Sequence, residues 1–86
     1  MEGQAEKLPN ARQRSQVETK NRLMRAGAHL FSRNGSKKTT IKDIAMEAEV
    51  AVGTVYLHFK DKDALLDEIL KTALRLLKQE LGKISP

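Results

Sequence analysis

Apolar residues in the first half of the chain recur at the spacing of one helical face. From Val17 to about Asn34 they lie three, four and seven positions apart, as in an amphipathic α-helix. This face consists of Leu23, Met24, Gly27, Ala28, Leu30 and Phe31. The pair Asn34-Gly35 predicts the end of the helix, because glycine adopts the left-handed conformation that commonly follows a helix C-terminus.

The residues before this helix carry no helical pattern of apolar positions. Residues 1–16 contain Gly3 and Pro9, several polar side chains and almost no apolar spacing. Such a composition is typical of an unstructured segment. We therefore expect a flexible basic arm over residues 1–16, with Arg12 and Arg14 inside it.

Two short helices are predicted next. Thr40 and Asp43 form a capping-box pattern, and the apolar residues Ile41, Ile44, Ala45 and Ala48 follow on one face. After a connection of three residues, Glu49–Ala51, a third helix is expected from about Val52 to Phe59. In that helix Val55 and Phe59 are four positions apart and therefore point to the same side.

A long fourth helix completes the pattern. Asp61 is a favourable N-cap, and a broad apolar band continues nearly to Lys83. The sequence thus predicts an all-α fold: a three-helix, homeodomain-like helix-turn-helix head over residues 17–60 and a connecting fourth helix over residues 61–86. Because a soluble monomer rarely exposes such a leucine-rich surface, we expect this chain to be a truncated head.

The second and third helices have the features of a helix-turn-helix. Their close crossing needs a small residue, which Ala45 supplies, and apolar contacts that fix the crossing angle. The predicted core of the motif is Ile44, Ala45, Val50, Val55 and Phe59. The opposite face of residues 52–58 is then free for a DNA major groove. Plain helical bundles also contain short helices with three-residue turns, so spacing alone leaves both interpretations open.

The charge distribution favours an anionic partner. The net charge is +5, and it is uneven: residues 1–38 hold nine Lys and Arg against three Asp and Glu, whereas residues 39–86 hold seven against eight. A basic surface suits DNA, and an anionic membrane as well. No apolar run of membrane-spanning length and no secretory signal is present, and there are no cysteines. We expect a cytoplasmic protein without membrane contact.

Three sequence strings then resemble the TetR family of transcriptional regulators. They are Thr39-Thr40-Ile41-Lys42-Asp43-Ile44-Ala45, Gly53-Thr54-Val55-Tyr56-Leu57-His58-Phe59 and Lys60-Asp61-Lys62-Asp63-Ala64-Leu65-Leu66. The first helix, with Ala28-x-Leu30-Phe31-x-x-Asn34-Gly35, is similar to the first helix of that family. The resemblance covers about residues 20–70, in the same order and with the same spacings.

The resemblance implies sequence-specific binding to double-stranded DNA by a ligand-responsive transcriptional repressor. In this family two heads of a homodimer occupy successive major grooves of a pseudo-palindromic operator. Dimerisation and a small-molecule effector belong to a C-terminal domain that follows the fourth helix and is not part of these 86 residues. Composition and periodicity do not establish these properties.

The same resemblance supplies candidate DNA contacts. Thr40 is expected at a phosphate, Thr54 at a base edge or phosphate, and Gly53 allows close approach of the backbone. Tyr56, His58 and Lys62 match phosphate-binding positions. The complete predicted set is Thr40, Lys42, Val52, Gly53, Thr54, Tyr56, Leu57, His58 and Lys62. Alternatively, Thr40 is only a cap, the Tyr56 ring covers the core, and His58 is a surface imidazole.

Several further basic residues are candidates on charge alone. Lys37 and Lys38, together with Lys42, are expected to add phosphate contacts, and Arg12 or Arg14 to enter a minor groove. Charged side chains at such positions are, however, usually just solvated.

Three residues depart from the family pattern. Glu49 stands in the turn where glycine is usual, so strain or an altered turn is expected. Ala51 and Val52 replace a hydroxyl cap and a lysine, so a cap and a cation are missing. Val52 is instead expected to pack against a thymine methyl group.

Other classes of function fit less well. The only histidines are His29 and His58, and no pair of carboxylates lies in an apolar setting, so we expect neither an enzyme nor a metal or other cofactor. The acidic residues near position 61 suit a helix N-terminus. A helical protein-interaction module that docks through the fourth helix remains an alternative, as does a nucleic-acid binder without sequence preference.

Overall fold

The computed structural model describes residues 10–84, and this part of the chain consists of four helices without a strand. Helix α1 spans Ala11–Asn34, α2 Ile41–Ala48, α3 Val52–His58 and α4 Lys62–Ile84. The predicted all-α class, with a helix-turn-helix head and a long final helix, is confirmed.

Helix α1 begins six residues earlier than the apolar pattern predicted. Asn10 is its N-cap: the side-chain oxygen of Asn10 accepts from the Gln13 N–H at 2.8 Å, and the Gln13 side chain accepts from the Asn10 N–H at 3.1 Å. The prediction of a flexible arm is therefore wrong for residues 11–16, while residues 1–9 lie outside the described part. Residues 11–18 are all solvent-exposed, so these helical turns need no apolar spacing.

The end of α1 is anchored by a glycine and a buried threonine. The helix ends at Gly35, as predicted, but with φ 84° and ψ 155° this glycine does not adopt the predicted left-handed helical conformation; its N–H donates to the Phe31 carbonyl at 2.8 Å. Thr39 is fully buried, and its hydroxyl donates to the Gly35 carbonyl at 2.9 Å. A buried hydroxyl without a hydrogen-bond partner would destabilise the fold. The bond to Gly35 therefore stabilises the connection between α1 and α2.

The core lies where α1 crosses α2 and α4. Leu23, Ile44, Val55 and Leu65 contribute one fully buried side chain from each helix. Gly27 lets α1 approach α4 closely, since a β-carbon at this position would lie 3.1 Å from Leu65 Cδ2. The two long helices and the helix-turn-helix thus form one packed unit.

Helix α4 starts at a side-chain cap and extends beyond the core. The Asp61 carboxylate accepts from the Ala64 N–H at 2.8 Å. Further along, one face of the helix exposes Leu70, Leu74, Leu77 and Leu81, each by more than half of its surface. We call these four residues the leucine face. Within residues 10–84, no helix is long and apolar enough to cross a membrane.

Candidate nucleic-acid interface

The turn between α2 and α3 is a Schellman motif with glutamate in the left-handed position. The Val50 N–H donates to the Ala45 carbonyl at 2.9 Å, and the Glu49 N–H donates to the Met46 carbonyl at 3.1 Å. Glu49 has φ 61° and ψ 45°. This conformation favours glycine and costs a residue with a β-carbon about 1 kcal/mol. The expected strain is confirmed, and the turn retains its Schellman hydrogen bonds.

The five positions assigned to the helix-turn-helix core all face the interior. Ile44 and Val55 are fully buried, and Ala45 and Phe59 nearly so, whereas Val50 is half-buried against them. Ala45 is the small residue at the crossing of α2 with its neighbours. This packing sets the angle between α2 and α3 and thereby the direction in which α3 presents its outer surface.

Helix α3 begins without a side-chain cap. Ala51 occupies the N-cap position with φ −72° and ψ 152° and makes no side-chain hydrogen bond, as the missing hydroxyl predicted. Its carbonyl accepts from the Thr54 N–H at 3.0 Å. The N–H groups at the start of α3 therefore lack the side-chain partner that a serine or threonine would supply.

The outer side of α3 is open to solvent. Val52 is 41% exposed, Tyr56 52% and Leu57 83%, while Thr54 and His58 are half-buried. A β-carbon added at Gly53 would have no neighbour within 4 Å. About half of the Tyr56 side chain is therefore available to another molecule. Four of the six predicted DNA contacts on α3 are therefore exposed: Val52, Gly53, Tyr56 and Leu57.

The N-terminus of α2 carries a reciprocal capping box. The Thr40 hydroxyl oxygen accepts from the Asp43 N–H, and the Asp43 carboxylate accepts from the Thr40 N–H, both at 3.0 Å. The hydrogen bond from the Thr40 backbone, followed by that from its hydroxyl, holds the pKa of Asp43 below its usual value. Thr40 and Lys42 are both exposed, and a hydroxyl that accepts a capping hydrogen bond still has its own hydrogen to donate to a phosphate.

Lys62, a predicted phosphate contact, has a partner within the fold. Its ammonium group donates to the Ser36 carbonyl at 2.5 Å and joins the start of α4 to the connection between α1 and α2. Lys37 and Lys38, next to Ser36, are exposed. An ammonium group has three donors, so Lys62 can keep this bond and still bind an oxygen of another molecule.

Two basic residues of α1, Lys20 and Arg22, contact the helix-turn-helix. The sequence predicted neither contact. The Lys20 ammonium lies 5.8 Å from the centre of the Phe59 ring, at the end of α3, and 3.9 Å from the Glu68 carboxylate. Arg22 reaches the Ala48 carbonyl at the end of α2 across 3.5 Å. Both partners are distant in sequence, so no local pattern could have revealed these contacts.

The remaining candidates lie elsewhere on α1. Arg12 and Arg14 belong to its exposed first turns. His29 is exposed on the same helix. Among residues 10–84, no cluster of histidine and acidic side chains is arranged to hold a metal ion. The side chains of α3 are hydroxyl, imidazole and apolar groups.

A surface of this kind, built on two helices that cross at a tight turn, defines a helix-turn-helix. Residues 23–69 match the family model of bacterial regulatory proteins of the tetR family. The chain belongs to the TetR family, whose helix-turn-helix is a DNA-binding element of transcriptional regulators.

Several curated relatives are similar to this chain. The HTH-type transcriptional regulator HbdR of Aromatoleum sp. (strain CIB) is 41% identical over 66 residues, which are 77% of this chain and 29% of that protein. The HTH-type transcriptional repressor KstR2 of Mycolicibacterium smegmatis is 38% identical over 52 residues, 60% of this chain and 25% of that protein.

The HTH-type transcriptional regulator AcrR of Shigella flexneri is 40% identical over 52 residues, which cover 60% of this chain and 24% of that protein. The chain therefore spans less than a third of the length of each of these three relatives. No solved structure matches it.

Proposed function

We propose that this chain is the DNA-reading head of a ligand-responsive transcriptional repressor that acts as a homodimer. The observation that carries the proposal is the outer surface of α3, which is open to solvent while the opposite side is locked into the core by Val55. A recognition helix needs this combination, because a rigid support lets its side chains meet base edges in a fixed register. The proposal gives the chain a binding role and no catalytic one.

In the proposed complex α3 enters the major groove and α2 crosses the backbone. Thr54, together with Val52 and Leu57, faces the bases, and Gly53 allows the helix to come close. Tyr56 and His58 bind phosphates on the flanks. Thr40 and Lys42 bind a phosphate at the N-terminus of α2, where the helix dipole also favours an anion. These contacts to phosphates orient the head without specifying a sequence.

Electrostatics support the same orientation. Lys37 and Lys38 precede α2, Lys42 lies in its first turn, and Lys60 follows α3; all four side chains are exposed. Each lysine that neutralises a phosphate releases condensed counterions, so binding should weaken steeply as salt rises.

The dimer and the effector site belong, in this proposal, to a C-terminal domain that follows α4. The leucine face supports it, because apolar surface of this extent is usually covered by another part of a protein. The greater length of the relatives supports it as well. A pseudo-palindromic operator would then be occupied by two heads in the bacterial cytoplasm, and a small molecule bound to the C-terminal domain would release them.

Selection from a random pool of duplex DNA, near physiological salt, tests the proposal. We expect one enriched half-site, or an inverted repeat of it where two heads bind together. Retention of DNA without any enriched sequence would favour a binder without sequence preference. Absence of retained DNA from a folded, helical sample would contradict the proposal and favour a protein-interaction module that docks through the leucine face.

A further inference from the structure

The chemistry of α3 is unusual for a helix that faces bases. Its seven residues, Val52–His58, include no arginine, lysine, asparagine or glutamine. Those are the side chains that make paired hydrogen bonds to guanine or adenine in the major groove. Because Tyr56 and His58 bind phosphates in the proposed complex, direct readout from α3 rests on the Thr54 hydroxyl and on apolar contact.

Leu57 is the most exposed of the large apolar side chains of α3. It is 83% exposed, the largest value among the exposed large apolar residues of the described chain. It stands two positions after the buried Val55, and a step of 100° per residue places it on the opposite side of the helix. This position is the centre of the outer surface.

Gly53 makes the Leu57 side chain accessible. It lies one helical turn before Leu57, and side chains on a helix lean towards the N-terminus. A β-carbon at Gly53 would meet nothing within 4 Å, so no neighbour covers the apolar end of Leu57 from this direction. Val52, 41% exposed, lies at the start of the helix. The surface that α3 offers to a groove is thus largely apolar at its centre.

The major groove contains one prominent apolar group, the 5-methyl group of thymine. Cytosine methylated at C5 places a methyl group at the same position of the pyrimidine ring. We propose that Leu57 reads a pyrimidine 5-methyl group, so that this head accepts 5-methylcytosine in place of thymine and binds unmodified cytosine less tightly. Val52 makes a second contact of the same kind. The inference rests on the proposed function and adds the chemical group that is recognised.

The test uses the half-site enriched in the selection, with the full chain. Each thymine is replaced in turn by uracil, which removes only the methyl group. Replacing the thymine that Leu57 contacts should weaken binding about fourfold, because this is the affinity lost when one buried carbon is removed. At that position a pair of 5-methylcytosine with guanine should bind more tightly than an unmodified cytosine–guanine pair.

Variants identify the residue that makes the contact. Leu57→Ala should remove the difference between thymine and uracil at one position, and Val52→Ala at another. Leu74→Ala, which truncates a leucine on the leucine face that is 61% exposed, is the matched control and should leave both differences intact. Circular dichroism establishes that each variant keeps its helices.

Two outcomes would overturn the inference, and they can be told apart. If a half-site is enriched but every uracil replacement is neutral, or Leu57→Ala keeps the full thymine preference, the assignment of Leu57 fails while the proposed function stands. If no sequence is enriched, both fail together.

Discussion

The N–H of Val50 donates to the carbonyl of Ala45 across 2.9 Å, and this bond closes a turn that holds Glu49 at a φ of 61°. The turn is therefore made by the backbone, and the side chain at position 49 adds only strain. A glycine in the same place would keep the hydrogen bonds without the steric cost of a β-carbon.

We predict that Glu49→Gly raises the free energy of unfolding by about 1 kcal/mol, because relief of the left-handed strain exceeds the entropy that glycine loses. Glu47→Gly is the matched control: Glu47 lies within α2, where glycine costs up to about 1 kcal/mol. In urea denaturation, the two variants should shift the midpoint of unfolding in opposite directions. A loss of stability in Glu49→Gly would show that the Glu49 side chain stabilises the turn.

Lys62 is predicted to bind a phosphate in addition to the Ser36 carbonyl. Lys62→Met should weaken binding to all DNA sequences alike and reduce the slope of log affinity against log salt by about 0.9. Lys78→Met, on the exposed far half of α4, should leave the slope unchanged. An unchanged slope for Lys62→Met, with lower thermal stability, would restrict Lys62 to its contact with Ser36.

Thr54 and Tyr56 are predicted to differ in what they recognise. Tyr56→Phe removes a hydroxyl from a phosphate contact and should weaken binding to all DNA sequences by a similar factor. Thr54→Ala removes a hydroxyl and a methyl group near the bases and should also change the enriched sequence. Selection with both variants, beside the unaltered chain, measures this. Identical sequence profiles for the two variants would refute the division of roles.

The capping box of α2 makes stability depend on pH. The pKa of Asp43 is held below the reference value of 3.8 by its hydrogen bonds with Thr40, so the ionised carboxylate stabilises the fold above that pH. The contribution is lost as pH falls through the lowered pKa. The Asp43→Asn variant should therefore have a lower melting temperature than the unaltered chain at pH 6. The difference in melting temperature should shrink below pH 3.8. An equal difference at pH 6 and at pH 3 would contradict this role.

Local signals in the sequence were sufficient for most of the helix ends. Gly35, the Thr40 capping box and Asp61 each act within four residues of chain, so their effect can be predicted without the fold. The start of α1 was missed because its exposed turns have no apolar period. The capping pair Asn10 and Gln13 was present in the sequence and would have located it.

Contacts between distant residues could not be predicted. Lys62 with Ser36, and Arg22 with Ala48, are each separated by 26 residues. Whether these side chains meet depends on how α1, α2 and α4 pack. A lysine or arginine on a helix surface has the same local pattern whether it is solvated or tied to a carbonyl, so only the structure distinguishes the two.

The outer surface of α3 and the N-terminus of α2 are the two parts of the fold that we propose contact DNA. The most direct test is a titration of the isotope-labelled chain with the enriched duplex, followed through backbone amide chemical shifts. We expect the largest changes in chemical shift at residues 40–42 and 52–58, and much smaller changes with a scrambled duplex of the same composition. Changes confined to residues 70–81, along the leucine face of α4, would contradict it.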